Sequence, residues 1–420
     1  MYRRTVLPNG LRLLTSKMPQ AYSIAVSFFL GAGSRYESEA EAGISHFLEH
    51  LCFKGNQRRP TPQEVAQAIE GVGGILNGGT DKELTAFWCK VTRPYFPLAL
   101  EVLNDMVRHS LLDPGEVEKE RQVIINEINS GLDSPSQRVD MLIDEVLWPG
   151  QALGRDVAGS KETVAALSRQ QLLDYLAAQY TPDNAVVGVA GDIDHEEVLA
   201  SLLDIVSDWP PGQPRPWYRA NDQQTRPQLR AEARDTELIH LCLGLRGLSH
   251  EHPDRFSLDL LNIILGEGMS SRLFLELRER RGLAYDIHSF VSHYRDCGSV
   301  IISASVAPSN LETALSVILE ELARLRDGVP DDELLRAKEQ AKGRLLLRLE
   351  DTRAVAGWLG AQELLTDHVY TVDEMLAIAD AITPQDLRRV AGGLLVAEKL
   401  NLAVVGPAVN VERLETRLLF

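Results

Sequence analysis

The sequence predicts an α+β protein of two similar domains, each a mostly antiparallel sheet with helices packed on one face. Strand-like alternation and helical apolar spacing interleave along both halves of the 420 residues. The densest run of chain breakers, Trp209-Pro210-Pro211-Gly212-Gln213-Pro214-Arg215-Pro216, falls midway and divides them. Val91, Ala99-Leu100 and Val102 also find counterparts at a constant offset of 215 in Val306, Ala314-Leu315 and Val317, the trace a diverged duplication leaves. The expected boundaries are 1–213 for the first domain, 214–228 for a linker and 229–420 for the second.

The elements follow from local chemistry. Pro8-Asn9-Gly10 between two alternating runs reads as a hairpin turn, because Asn-Gly supplies the positive φ angles such turns need. Residues 21–30 read as a strand. From Gly43 to Phe53 the apolar spacing becomes helical, and a second helix runs from about Thr61 to Ile69 before Gly71-Val72-Gly73-Gly74 stops it. Residues 84–91 are extended and 97–107 helical. Asp113-Pro114-Gly115-Glu116 opens a further helix through Ile128, with Asp as cap, Pro in the first turn and Glu three residues after the cap. In the second half, residues 306–322 and 331–349 read as long helices.

Hydrophobic residues make up 44% and charged residues 25% of the chain, the balance of a protein with a full core. A net charge of −17 argues against a surface that holds phosphate backbones or anionic lipid, so neither nucleic acid nor membrane is an expected partner. The four cysteines, Cys52, Cys89, Cys242 and Cys297, stand singly without the spacing of a zinc ribbon or disulfide framework, which fits a reducing compartment. No apolar run is long enough to span a bilayer, and Pro8-Asn9-Gly10 interrupts the region where a signal peptide needs an apolar core. A cytoplasmic protein is expected.

The chemistry concentrates in His46-Phe47-Leu48-Glu49-His50 on the first helix. Residues four apart share a helix face, so the imidazoles of His46 and His50 can converge on one ion. Glu49 projects from nearly the same face, where a general base can take a proton from metal-bound water. A catalytic zinc needs a third protein ligand. The helix opening at Asp113 offers Glu120 and Glu127, seven apart and on one face, so that one can ligate while the other supports it. Other candidates are weaker: His250 and His252 lie in a loop sequence, and Cys52 points away from the His46 and His50 face and reads as packing.

Together these residues resemble the pitrilysin and insulinase family of inverted-motif zinc peptidases, most closely its short members similar to the mitochondrial processing peptidase. In that family the His-x-x-Glu-His helix is followed by two glutamates seven apart, and here Glu120 and Glu127 stand 70 and 77 residues after His50. The resemblance implies His46, His50 and Glu127 as ligands of one zinc per subunit, Glu49 as base and Glu120 as an acidic helper. Gly73-Gly74-Ile75-Leu76-Asn77-Gly78-Gly79-Thr80 is similar to a segment in which an edge strand pairs with substrate, implying a substrate role for Asn77, with Gly78 standing where Ala is usual. Arg278 and Tyr285 are similar to the family's pair that holds the substrate carbonyl; as a plain helix end, Arg278 would instead pair with Glu276 and Glu279.

The resemblance thus implies an endopeptidase acting on short or unfolded peptides inside a closed chamber. Because the zinc motif and the Arg and Tyr pair occur in one chain, it implies a homodimer in which Arg278 and Tyr285 of one subunit complete the zinc site of the other. The rivals are a noncatalytic scaffold subunit, disfavoured because every ligand stands, and a maturation protease dedicated to one precursor.

Overall fold

The computed structural model describes residues 2–366 and 368–418. Two sheets organise it. The first contains β1 (Tyr2–Val6), β2 (Arg12–Lys17), β3 (Ser23–Leu30), β4 (Ile75–Thr80), β5 (Thr85–Thr92) and β6 (Ala185–Gly191), in the order β1-β2-β6-β3-β5-β4. The second contains β7 (Gln228–Ala233), β8 (Ile239–Gly247), β9 (Ala284–His293), β10 (Gly298–Val306) and β11 (Asn401–Gly406), in the order β7-β11-β8-β10-β9. From β2 onward the first sheet pairs as parallel, antiparallel, antiparallel, antiparallel, and the second repeats that sequence of pairings. The duplication expected from the offset of 215 is therefore visible as topology: β5 and β10 occupy the same place, and the helices after them begin at Phe96 and Leu311.

The first elements follow their chemistry. Gly10 takes φ 92° in the turn between β1 and β2, whose register pairs Val6 with Arg12. The helix Pro62–Glu70 opens on a capping box between Thr61 and Glu64. Some boundaries differ: the helix expected to end at Ile128 runs to Asp133, and the one expected over 306–322 begins at Leu311 and runs to Asp327. Val306 is the last residue of β10, because Pro308 ends the strand and sets a short 3-10 turn, Pro308–Asn310, ahead of the helix.

The division into continuous halves also differs. The chain packs as one unit of residues 1–128, 156–218 and 346–371 and another of 129–155, 219–345 and 372–420. It passes from one to the other between Tyr218 and Arg219, inside the expected linker, but two segments change sides. The reason is apolar burial. The helix Thr352–Leu365 places Val355, Ala356 and Leu359 against Leu14, Ala25, Phe29, Val186 and Ala190 of the first sheet. The helix Pro135–Leu147 places Val139, Leu142, Ile143 and Leu147 against Cys242, Ile301, Ala403 and Val405 of the second.

Each sheet thus has one face covered by such a helix. In β3 every residue from Ile24 to Leu30 is buried, the run expected of a strand covered on both sides. Close approach is bought with glycine: a Cβ at Gly188 would lie 2.5 Å from the Ala356 carbonyl oxygen, and one at Gly360 would lie 2.3 Å from the Phe29 ring. No helix among the described residues is long and apolar enough to cross a membrane.

Candidate metal centre

The motif helix, Ile44–Cys52, buries Phe47, Leu48 and Leu51 and turns His46, Glu49 and His50 the other way. Its start is fixed without a capping side chain. Gly43 adopts φ 95°, and a Cβ there would lie 2.4 Å from the Ala158 carbonyl oxygen. The buried Glu37 carboxylate takes the cap's place, accepting from the Gly43 amide at 2.8 Å and the Ser45 amide at 2.9 Å. These are donors that a helix start leaves orphaned.

His46, Glu49 and His50 each offer a ligand atom within 4.8 Å of the others. Another helix, Pro114–Asp133, brings Glu120 and Glu127 to them. Glu127 Oε2 lies 3.9 Å from His46 Nε2 and 3.7 Å from His50 Nε2, too far for hydrogen bonds. Those separations approach the edge of about 3.4 Å in a tetrahedron with metal–ligand bonds of about 2.1 Å. Glu120 sits behind: its Oε2 is 3.1 Å from His50 Nδ1, and its Oε1 accepts from Lys54 Nζ at 2.7 Å. An acceptor at Nδ1 suits the arrangement in which a ligating histidine is oriented through that nitrogen and offers Nε2, here on the side of Glu127, to a metal.

The electrostatics suit a metal. Burial, with His50 adding to it, pushes His46 down to about 4, so its imidazole is neutral and able to ligate. Burial likewise raises the Glu49 carboxyl, with Glu127 adding to the rise while His50 and the Thr80 hydroxyl oppose it. Two imidazoles and a carboxylate form a donor set that suits zinc, and these residues fit it. Cys52 is fully buried, its thiol raised first of all by that burial, and it belongs to the packing.

Asn77 lies on β4, the edge strand of the first sheet, with its Oδ1 accepting from the Gly78 amide at 2.7 Å. Gly78 faces the centre: a Cβ there would meet Glu49 Oε1 and the Phe53 ring at 3.1 Å, whereas at Gly79 nothing lies within 4 Å. In the other unit, Arg278 sits on the π-helical turn Phe274–Arg280 and Tyr285 at the start of β9. The Arg278 guanidinium lies 5.9 Å from the Tyr285 ring centre, and Tyr285 is 77% exposed. Glu276 pairs with Arg280 and Arg281, leaving Arg278 without an acidic partner among the described residues. His250 and His252 join no metal-holding group there.

Sequence reasoning missed Glu37, Lys54, Phe53 and Thr80. Only Lys54 carried a signal, lying one turn beyond His50.

Comparison with known proteins gives the family. The sequence model described as Insulinase (Peptidase family M16) matches residues 12–161, and that described as Peptidase M16 inactive domain matches residues 166–341. An uncharacterized zinc protease of Streptomyces coelicolor is 37% identical over 96% of this chain and 89% of its own length. The uncharacterized zinc protease YmxG of Bacillus subtilis is 36% identical over 98% of this chain and 100% of its own. A solved protease from Helicobacter pylori superposes with a TM-score of 0.92 over 97% of this chain and 100% of its own, at 22% identity. The chain belongs to the insulinase family of zinc proteases, peptidase family M16, as a short member of the kind that YmxG represents.

Proposed function

We propose that the protein is a zinc-dependent endopeptidase that hydrolyses short or unfolded peptides. The observation that carries this reading is the approach of His46 Nε2, His50 Nε2 and Glu127 Oε2 to one point, with Glu49 in the same group. A zinc ion held by those three residues would supply Lewis acidity and a lowered water pKa. Glu49 takes the proton from the water whose oxygen attacks the scissile carbonyl carbon, then delivers it to the amine as the carbon–nitrogen bond breaks. Its raised pKa suits both halves of that transfer. The free edge of β4 beside Asn77 offers main-chain hydrogen bonds that serve any peptide sequence.

Arg278 and Tyr285, exposed and with no acidic partner for the guanidinium among the described residues, are suited to hold the substrate carbonyl oxygen as charge develops on it. We assign that role to a second copy of the chain, in a homodimer whose enclosed chamber excludes folded proteins. Four free, buried cysteines accord with a cytoplasmic setting.

The test is zinc content per chain, with turnover of a quenched-fluorescent peptide library by the wild type and by Glu49→Gln. About one zinc in each, with turnover lost only in the variant, supports the reading. Absence of bound metal and of turnover after zinc is supplied overturns it in favour of a noncatalytic subunit. Turnover confined to one sequence within the library marks a dedicated maturation protease.

A further inference from the structure

We propose that Lys54 is a positioning residue for the metal centre: it fixes the Glu120 carboxylate that orients His50, and thereby sets how tightly the centre holds zinc. This inference rests on the reading of His46, His50 and Glu127 as zinc ligands.

The Glu120 side chain is only 6% exposed, and its two oxygens have separate duties. Oε2 faces His50 Nδ1 at 3.1 Å and Oε1 accepts from Lys54 Nζ at 2.7 Å. A carboxylate tied at one oxygen still turns about its last side-chain bond; tied at both, its plane is fixed. The His50 ring, bound to that plane through Nδ1, is then fixed with its Nε2 toward Glu127.

Lys54 is itself held in place. It follows the last turn of the motif helix, and its amide donates to the Leu51 carbonyl at 3.0 Å. A cation is favoured at that helix end. Lys54 is also the one lysine or arginine bonded to Glu120 among the described residues, so no neighbour replaces it. Partners that touch a ligating histidine directly are worth roughly 10–100-fold in metal affinity. Lys54 acts one contact further out and is 28% exposed to screening solvent, which places its effect near the bottom of that range, at about tenfold.

The experiment measures the zinc Kd of the full-length chain by competition with a chromogenic chelator. The chains compared are the wild type, Lys54→Met, Lys54→Gln, Lys54→Arg, Glu120→Gln and the Lys54→Met/Glu120→Gln double variant. Lys54→Met and Lys54→Gln are expected to bind zinc about tenfold more weakly, and Lys54→Arg to recover most of the loss. In the Glu120→Gln background, Lys54→Met is expected to add nothing, because the group it positions is gone. The inference is overturned if Lys54→Met and Lys54→Gln match the wild type while Glu120→Gln weakens binding. It is equally overturned if Lys54→Met costs the same with and without Glu120. A wild-type chain that takes up no zinc overturns the metal centre itself, an outcome separate from either of these.

Discussion

Removing the Glu37 carboxylate should loosen the start of the helix that carries the zinc motif. Glu37 is fully buried and accepts from the amides of Gly43 and Ser45 at 2.8 and 2.9 Å. With glycine at the cap position, no cap side chain stands in for it. Hydrogen bonds to a charged acceptor contribute about 1.5–3 kcal/mol each, and a donor left buried without a partner costs a similar amount. Glu37→Ala is therefore expected to destabilise by about 3–5 kcal/mol. In a unit the size of that formed by residues 1–128, 156–218 and 346–371, 1 kcal/mol corresponds to about 2–4 °C, so the melting temperature should fall by roughly 10 °C. Glu37→Gln keeps one acceptor oxygen and should lose about half as much. Scanning calorimetry of the metal-free chains reads the first effect. Zinc competition should show weaker binding as well, because His46 follows Ser45 directly and a frayed first turn misplaces it. A Glu37→Ala chain that melts within about 2 °C of the wild type would refute the capping role.

Gly78→Val should lower kcat/KM by tenfold or more, on the order expected for a displaced catalytic group, because even its first carbon meets Glu49 Oε1 and Phe53 at 3.1 Å. Gly79→Val, with open space at its Cβ, is the control, and equal losses in both would sink the idea. Stability should depend on His250. Burial first, then His293, Arg255 and Arg295, push it down to about 4 in the folded chain, while the unfolded chain has the ordinary value of about 6.5. Between those values the unfolded state binds the extra proton, so stability falls as pH drops below about 6.5 and stops falling on this account near 4. The melting temperature of His250→Asn should decline less across that window; parallel curves would count against it. A chain ending at Tyr218 lacks the helix Thr352–Leu365, leaving Leu14, Ala25, Phe29, Val186 and Ala190 uncovered. Sedimentation should find it aggregated, and a soluble, cooperatively melting fragment would show that the covering helix is dispensable.

What the sequence made legible was local or periodic. The Asn9-Gly10 turn, the capped helix after Asp113 and the four-residue spacing of His46 and His50 are each written within one or two turns of chain, and the structure has them in those places. That Glu120 stands beside the motif helix was legible through a resemblance, since 70 residues of separation hide it from periodicity, whereas its contact with His50 Nδ1 came only from the fold. The change of sides by the helices Pro135–Leu147 and Thr352–Leu365 was hidden for a physical reason. A helix with Val139, Leu142, Ile143 and Leu147 on one stripe declares that it covers something apolar, without declaring which sheet. Glu37 was hidden likewise: a lone acid before a glycine has no cap signature, and only the fold turns it back onto the Gly43 and Ser45 amides.

The duplication gives the two halves of the proposed chemistry a common origin in topology. In the first sheet the chain leaves β3, forms the motif helix and the helix Pro62–Glu70, and returns as the edge strand β4. In the second it leaves β8, forms the helix Arg255–Gly266 and the π-helical turn Phe274–Arg280, and returns as the edge strand β9. One slot carries His46, Glu49 and His50 on its first helix; the matching helix carries Leu260, Leu261, Ile263 and Ile264, all buried, and no group that holds a metal. The second copy keeps its polar chemistry later in the slot, with Arg278 on the turn and Tyr285 on the strand. An edge strand that presents backbone to a peptide is useful in both copies, whereas a second metal site is not. Divergence within one topological slot therefore accounts for the different residues of the two units, the set proposed to hold zinc and the set proposed to hold a carbonyl, and it locates both at the approach to an edge strand.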